Sequence, residues 1–413
     1  MDVMVDDRRP ANPAGGTDHG CAITIVMPCL NEEKALPHCI ANARHALAEI
    51  SRLFSLTGEI VIADNGSTDG SASLARRMGA RVVPVADRGY GNTLIGGVRA
   101  AHGRYIVMGD CDGSYDFRDA VPMVAALLDG YDFCNGTRLR GRILPGAMPL
   151  KNRYLGNPVL SGILNLLFRS GLSDAHCGLR AFTRSAFDRL QIDSEGMELA
   201  SEMVIKAALL KLRRTEVPIT LHPDLRDRTP HLRPWRDGWR HLRYILMLAP
   251  EWLFLGPAAV FGILALVSLT AILGGTEQAP FRMLGITFGD HWIVIGCMAA
   301  VLCHLLVLFG IVGIVHGLRS RYRRPPWFWS HLAEVVTLER SLILGAAAIV
   351  AGLWIIGAVA WDWIKIRFTN PHEIRALVAA CTLVIIGSQH LFGGFLLSII
   401  GGNRARLQDL PQA

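Results

Sequence analysis

The chain lacks paired cysteines. Its nine are scattered over 413 residues with no C-x-x-C, which fits a reducing compartment and argues against structural zinc. It also lacks the apolar core of a secretory leader. Residues 1–20 carry acids, Arg8-Arg9 and Pro/Gly instead, so the first domain is expected to stay on the side of synthesis. Neither a G-x-x-x-x-G-K-[ST] loop nor a complete G-x-G-x-x-G occurs, so the usual phosphate-loop and dinucleotide fingerprints are missing. No recognised nucleic-acid-binding motif is present. The formal net charge of +7, with Arg gathered between Arg226 and Arg243, is therefore assigned to anionic lipid headgroups before nucleic acid.

Long apolar runs are what the chain has in excess. Leu253–Leu273, Trp292–Gly317, Ser341–Ile364 and Leu377–Gly401 each reach the roughly 20 residues that cross a ~30 Å hydrocarbon core. Buried helices of a soluble core do not explain four such runs, so four transmembrane helices are expected. Arg319, Arg321, Arg323 and Arg324 follow the second run, and Arg404 and Arg406 the fourth. The positive-inside rule then puts both termini and the first domain in the cytoplasm, as a multi-pass protein of the cytoplasmic membrane. Lys365, Arg367 and Arg375 on the other side weaken that balance without reversing it.

Ahead of the spans, short apolar runs alternate with helical patterns. Ala22–Met27, Glu59–Ala63, Arg81–Val85 and Tyr105–Gly109 read as buried strands, with later ones near Asp132–Asn135 and Arg214–Val217. Helices are expected at Lys34–Leu53, Ser71–Met78, Thr93–His102, Phe117–Leu128 and Leu199–Leu210. This alternation predicts a parallel, doubly wound α/β sheet. Pro149–Ser170 and Trp235–Pro250 mix Arg with aromatic and aliphatic residues, a pattern of helices lying in the membrane interface. The expected order is a tail at 1–20, an α/β domain at 21–230, an interfacial segment at 231–251, a four-helix bundle at 252–403 and a tail at 404–413.

The chemistry-bearing residues fall at strand ends, where open α/β sheets bind ligands. Asp110-Cys111-Asp112 closes the fourth run, and hard divalent cations take carboxylate oxygens together with substrate phosphates. Taken alone, such a pair is more often two loop acids capping the next helix. Pro28, Asn31 and Glu32 follow the first run; Asn31 could be an ordinary N-cap or could meet a ribose or base. Asp64-Asn65-Gly66 follows the second, where a carboxylate can accept a base N–H and Gly66 admits close backbone approach. Within the spans, His304 and Gln389-His390 are costly if they face lipid, and interhelical hydrogen bonding is their simplest use.

As a set, P-x-L-N-E at Pro28–Glu32, A-D-N-G-S-T-D-G at Ala63–Gly70 and D-C-D-G-S at Asp110–Ser114 resemble the inverting family-2 glycosyltransferases with a GT-A fold. Asn135–Arg138, Asp174-x-x-Cys177-Gly178-x-Arg180, Glu198-x-x-x-Glu202, Glu216–Ile219, Arg228 and D-G-W-R-H-L-R-Y at Asp237–Tyr244 narrow the likeness to polyprenyl-phosphate (dolichyl-phosphate) mannose or glucose synthases. The resemblance spans about residues 22–250. It implies an α/β GT-A, Rossmann-like nucleotide-sugar domain before the all-α bundle of four transmembrane helices. It places Pro28, Asn31, Glu32, Asp64 and Gly66 around the nucleotide sugar, and Asp110 and Asp112 at a diphosphate–metal site holding Mg²⁺ or Mn²⁺. Arg138, Arg153 and Asn157 match residues that hold the acceptor's lipid phosphate, and Arg228 a mobile-loop residue that closes on the donor phosphates. Two departures stand out: Asn65 where many relatives carry a second Asp, and Cys111 where Ala is common.

The implied reaction moves one hexose from UDP-glucose or GDP-mannose to polyprenyl phosphate, with inversion. A phosphate monoester is already anionic near neutral pH, so positioning and charge neutralisation matter more than a general base. Rival readings are transfer to a neutral lipid such as a diacylglycerol or hopanoid, and a non-enzymatic lipid-sugar transporter or scaffold. The partners expected are the nucleotide sugar, the lipid and the membrane, without nucleic acid, and a homo-oligomer is compatible with the sequence. Processive synthesis is disfavoured because no Q-x-x-R-W occurs.

Overall fold

The computed structural model describes residues 21–226, 234–273, 281–283, 286–289, 291–365 and 374–403. In chain order its elements are β1 (Ile23–Cys29), α1 (Leu36–Phe54), β2 (Gly58–Asp64), α2 (Ser71–Arg77), β3 (Arg81–Pro84), α3 (Tyr90–Ala100), β4 (Tyr105–Met108), α4 (Ala120–Leu128), β5 (Phe133–Ile143), α5 (Asn157–Phe168), β6 (Arg180–Thr183), α6 (Arg184–Leu190), α7 (Leu199–Leu209), β7 (Arg214–Leu221) and α8 (Pro234–Met247). They continue with α9 (Gly256–Leu273), β8 (Phe281–Met283), β9 (Ile286–Phe288), α10 (His291–Arg319), α11 (Trp329–Val335), α12 (Leu338–Lys365) and α13 (Ile374–Ile400). The described residues form two compact units. The first comprises 21–148, Cys177–Ala186 and 215–226; the second comprises Pro149–His176, Phe187–Arg214 and the residues from 234 onward.

In the first unit a seven-stranded sheet runs β3-β2-β1-β4-β6-β5-β7. Its centre is apolar on both faces, as a sheet covered by helices must be. Ile23, Ile25, Val26 and Met27 on β1 are all at 0% exposure, so truncating one, as in Ile25→Ala, costs about 3 kcal/mol. On α1, Leu36, Cys39, Ile40, Ala43, Ala46 and Ile50 recur at helical spacing and form its buried face.

The sheet differs from the all-parallel expectation. β3, β2, β1 and β4 are parallel, but β6 is antiparallel to both β4 and β5. β4 and β5 therefore run the same way, and β6 is inserted between them in reverse. Chain order explains it: after β5 the backbone leaves for the second unit and re-enters at Cys177, on the side where the parallel strands end. β6 is four residues long, too short to show a period in the sequence. Pro28 also differs, since β1 continues to Cys29 opposite Asp64. The Pro28 carbonyl accepts the Cys111 thiol at 2.7 Å, so its missing N–H faces that same side. There the β1–β4 ladder has already ended at Val26–Met108, and no ladder hydrogen bond is lost.

In the second unit, four helices are long and apolar enough to cross a membrane: Glu251–Ala271, His291–Arg319, Leu338–Lys365 and Ile374–Ile400. α12 and α13 approach backbone to backbone, since a Cβ on Gly345 would lie 2.8 Å from the Gly387 carbonyl oxygen. His304 bonds Gln389 at 3.0 Å and His390 at 3.2 Å, tying α10 to α13. Arg319 donates to the Ile400 carbonyl at 2.9 Å and caps the last span with positive charge. Arg323 pairs with Glu251 at 2.8 Å. α5 exposes Val159 and Leu166, the turn before it exposes Leu155, and α8 exposes Trp239 and Met247, the amphipathic pattern read from the sequence.

Candidate active site

Three loops at the carboxyl ends of β1, β2 and β3 are tied together by short polar side chains. The Asn31 N–H donates to Ser67 Oγ at 3.0 Å, and Asn31 Oδ1 accepts the Thr68 N–H at 2.7 Å. The Glu32 N–H donates to Ser71 Oγ at 3.0 Å. Glu33 and Gly70 complete the seam, with Asp69 accepting the Glu33 N–H at 3.2 Å and Glu33 accepting the Gly70 N–H at 3.2 Å. Asn31 is thus neither free nor a simple N-cap: with φ of 57°, it is the hinge that locks loop one onto loop two.

Asp64 accepts the Ser67 N–H at 3.3 Å, which turns its carboxylate to the edge beside Gly66. Asn65 explains its own departure from the family pattern. Its amide donates to the Val85 and Asp87 carbonyls at 3.0 and 2.8 Å, while its Oδ1 accepts the Gly89 N–H at 3.1 Å. A carboxylate could accept but not donate, so an Asp here would lose two bonds. Loop three is held by this amide, not by charge.

The acid pair sits at the centre of this edge. Tyr90, at the start of α3, donates its hydroxyl to Asp110 Oδ1 at 2.8 Å. Burial first, then the neighbouring Asp112 charge, push the Asp110 carboxyl up to about 6; Tyr90, Arg226 and Arg138 oppose that shift without cancelling it. Asp112 Oδ1 accepts the Ser114 N–H at 2.9 Å and the Ser114 hydroxyl at 2.6 Å. Its Oδ2 pairs with Arg226. Cys111 is 3% exposed and turned toward Pro28, a small packing residue. Behind the pair, Tyr115 accepts the Gly178 N–H at 2.9 Å, and a Cβ on Gly178 would come within 2.8 Å of Asp110 Oδ2. The Cys177-Gly178 motif is therefore glycine because the backbone passes against the acid.

Among the residues expected from the sequence, Pro28, Asn31, Glu32, Asp64, Gly66, Asp110 and Asp112 share this edge of the first unit. Arg138 lies on β5 of the same unit, and its charge acts on Asp110 and Tyr115. Arg153 and Asn157 belong to the second unit. Arg153 lies in the π-helical turn Asn152–Gly156, stacked over the Tyr154 ring at 5.4 Å, and Asn157 opens α5. Arg228 lies outside the described residues, as do the two tails. Glu202, of the Glu198-x-x-x-Glu202 motif, is fully buried, pairs with Lys206 at 2.5 Å and accepts the Ser194 N–H at 2.9 Å. It is structural. Sequence reading missed Arg226, Tyr90 and Tyr115; the basic run gave a signal for the first, whereas neither tyrosine could be told from a packing aromatic.

No group of three or more His, Cys, Asp or Glu side chains arranged for a metal occurs among the described residues. The donor set nonetheless fits a hard cation completed by substrate oxygens: two adjacent carboxylates, one short of countercharge and one already drawing a guanidinium.

An α/β sheet edge that gathers acids, followed in the chain by four helices long enough to cross a membrane, defines the class of protein, and comparison with known proteins gives the family. Residues 24–191 match Glycosyl transferase family 2, and residues 311–401 match the Glycosyltransferase family 2 C-terminal transmembrane region. A relative, the low-salt glycan biosynthesis hexosyltransferase Agl6 of Haloferax volcanii, is 35% identical over 93% of this chain and 90% of its own length. The dolichyl-phosphate hexose transferase of the same organism is 32% identical over 48% of this chain and 81% of its own length. Among solved structures, glucosyl-3-phosphoglycerate synthase from Mycobacterium tuberculosis, in complex with Mn²⁺, uridine diphosphate and glucosyl-3-phosphoglycerate, is 22% identical. It covers 55% of this chain and 78% of its own, with a TM-score of 0.41. The chain belongs to glycosyltransferase family 2 and is a multi-pass membrane protein.

Proposed function

We propose that this glycosyltransferase moves a single hexose, glucose or mannose, from a nucleotide sugar to polyprenyl phosphate at the cytoplasmic face of the membrane. The observation that carries the reading is the charge imbalance at the sheet edge. Asp110 and Asp112 stand one residue apart, and burial with the Asp112 charge pushes Asp110 up to about 6 at an edge shared with Asn31, Glu32 and Asp64. An edge built only for stability would have paired both acids.

Asp110 and Asp112 would hold Mg²⁺ or Mn²⁺, which when bound supplies positive charge to the departing diphosphate. Glu32, Asp64 and Asn31, with the backbone at Pro28 and Gly66, bind and orient base and ribose. Arg228 closes on the donor phosphates. Arg138 holds the acceptor phosphate in the fork geometry that guanidinium provides, and Arg153 and Asn157 carry the same assignment from the resemblance. One phosphate oxygen forms the new bond to the anomeric carbon as the bond from that carbon to the diphosphate oxygen breaks. The electron pair leaves with the nucleoside diphosphate, and the configuration inverts. No proton has to be removed from the nucleophile, because a phosphate monoester is already anionic near neutral pH.

The test is radiolabelled transfer from UDP-glucose and from GDP-mannose to polyprenyl phosphate, with diacylglycerol as the neutral competitor. Labelled polyprenyl phosphate that disappears with Asp112→Ala is the expected result. Equal labelling of the neutral lipid would overturn the acceptor assignment, and turnover that survives Asp112→Ala would overturn the site.

A further inference from the structure

One cationic group at this edge has no place in the reaction above. Beyond β7, the segment Leu221–Arg226 lies along Asp112–Tyr115. Leu221 bridges Tyr115, the His222 N–H donates to the Ser114 carbonyl at 2.9 Å, and the Leu225 N–H donates to the Asp112 carbonyl at 2.8 Å. The Leu225 side chain occupies the space over Gly113, whose φ is +83° and whose Cβ, if present, would meet Leu225 Cδ1 at 2.7 Å. This strap aims Arg226 into the acids. Nη2 pairs with Asp112 Oδ2, while Nε faces Glu32 Oε1 at 3.4 Å without an aligned hydrogen bond. Asp112 has already committed Oδ1 to Ser114, so the guanidinium occupies its remaining oxygen.

We propose that Arg226 is an internal counter-ion latch on the donor site. While the site is empty it neutralises Asp112 and Glu32; when the donor binds, it is exchanged for the divalent cation and the nucleotide. The proposal rests on the donor-site reading above. Its physical basis is competition for one oxygen. Asp112 is 7% exposed and stands beside the Asp110 charge, and leaving it without its countercharge is costly. A cation bound at Asp112 would meet a resident positive charge and must displace it. The pairing is strong enough to hold and loose enough to open, because only the Asp112 leg is a hydrogen bond. The strap's backbone bonds keep Leu225 in place, so the exchange needs rotation of one side chain.

The experiment measures Mn²⁺ binding to the full chain in lipid nanodiscs without nucleotide, from the electron paramagnetic resonance signal of free Mn²⁺. Arg226→Met is expected to bind Mn²⁺ about tenfold more tightly than the parent, the size of effect typical of coupled sites. Arg226→Gln keeps a hydrogen-bond donor without charge and should give the same gain, while Arg226→Lys should give little. Adding Asp112→Asn to Arg226→Met should abolish the gain. Equal affinity of the parent and both neutral variants, with binding still dependent on Asp112, would overturn the latch and leave the metal site standing. Binding indifferent to Asp112→Asn would overturn the site and the latch together.

Discussion

The two ends of one sheet each hold acids beside an arginine, and they are built to opposite standards. At the amino end, Glu59 receives the Arg81 guanidinium at 2.8 and 3.0 Å, the Thr24 hydroxyl at 2.9 Å and the His102 N–H at 2.8 Å. Burial alone would raise its carboxyl, but these donors outweigh it and hold Glu59 below the usual range. At the carboxyl end, Asp110 is pushed up to about 6 although Tyr90 and two arginines are near. The first acid is satisfied by the fold; the second is left wanting charge. The contrast singles out Asp110 as an acid whose charge the fold does not fully offset, the pattern found at functional sites.

The sharpest way to break this comparison is to remove one charged group from each end, an acid at the carboxyl end and the arginine at the amino end. Asp112→Ala is expected to reduce hexose transfer by about 10³-fold, the scale of losing a principal charge-stabilising group, with little change in unfolding midpoint. Transfer within tenfold of the parent would mean that the two ends do not differ in kind. Arg81→Met should do the reverse, lowering stability by about 2 kcal/mol by leaving a half-buried carboxylate without its partner. Urea unfolding should record that loss while the donor KM stays unchanged; a KM shift would tie the amino end to catalysis.

Asn65→Asp is the intermediate case. Two carbonyls lose their donor, at about 1 kcal/mol each, and loop three loosens beside the donor. The donor KM should rise severalfold with kcat less affected, and an unchanged KM would show that the amide staple is not needed.

The smallest effect concerns pH. Burial would raise the Asp116 carboxyl, but Arg118 and Asn42 outweigh it and hold it at about 2, against about 3.9 in an unfolded chain. Below 3.9 the unfolded state binds the proton that the folded state refuses. This contribution is therefore complete above pH 4 and is lost as pH falls toward 2. Asp116→Asn should flatten the stability profile between pH 4 and 2 and leave it parallel to the parent above pH 5. Glu59, also depressed, adds to the same acid limb.

Much of this was legible in the sequence because the signals were local. Ile23–Met27 is apolar without interruption, α1 repeats its apolar residues at helical spacing, and the four spans need only length and composition to be seen. The seven residues from Pro28 to Asp112 were legible as lying at or just beyond strand ends, and a sheet edge necessarily gathers strand ends. The reversed strand Arg180–Thr183 was not legible, because four residues carry no period and its direction depends on where the chain re-enters. Nor was the aim of Arg226, one of several arginines in a basic run, since charge spacing says nothing about which guanidinium a strap turns toward Asp112.

By itself, then, the sequence determined the family, the alternation of strand and helix, the four crossings and the acids at the edge. These follow from composition and short-range pattern, which chain order alone encodes. Only the tertiary structure decided that Asn65 is a staple, that Glu202 is buried against Lys206, that Gly178 must be bare beside Asp110 and that Arg226 holds Asp112. Each depends on residues far apart in the chain meeting at hydrogen-bond distance. Such meetings are set by sheet order and strap geometry, and no periodicity in the sequence reports them.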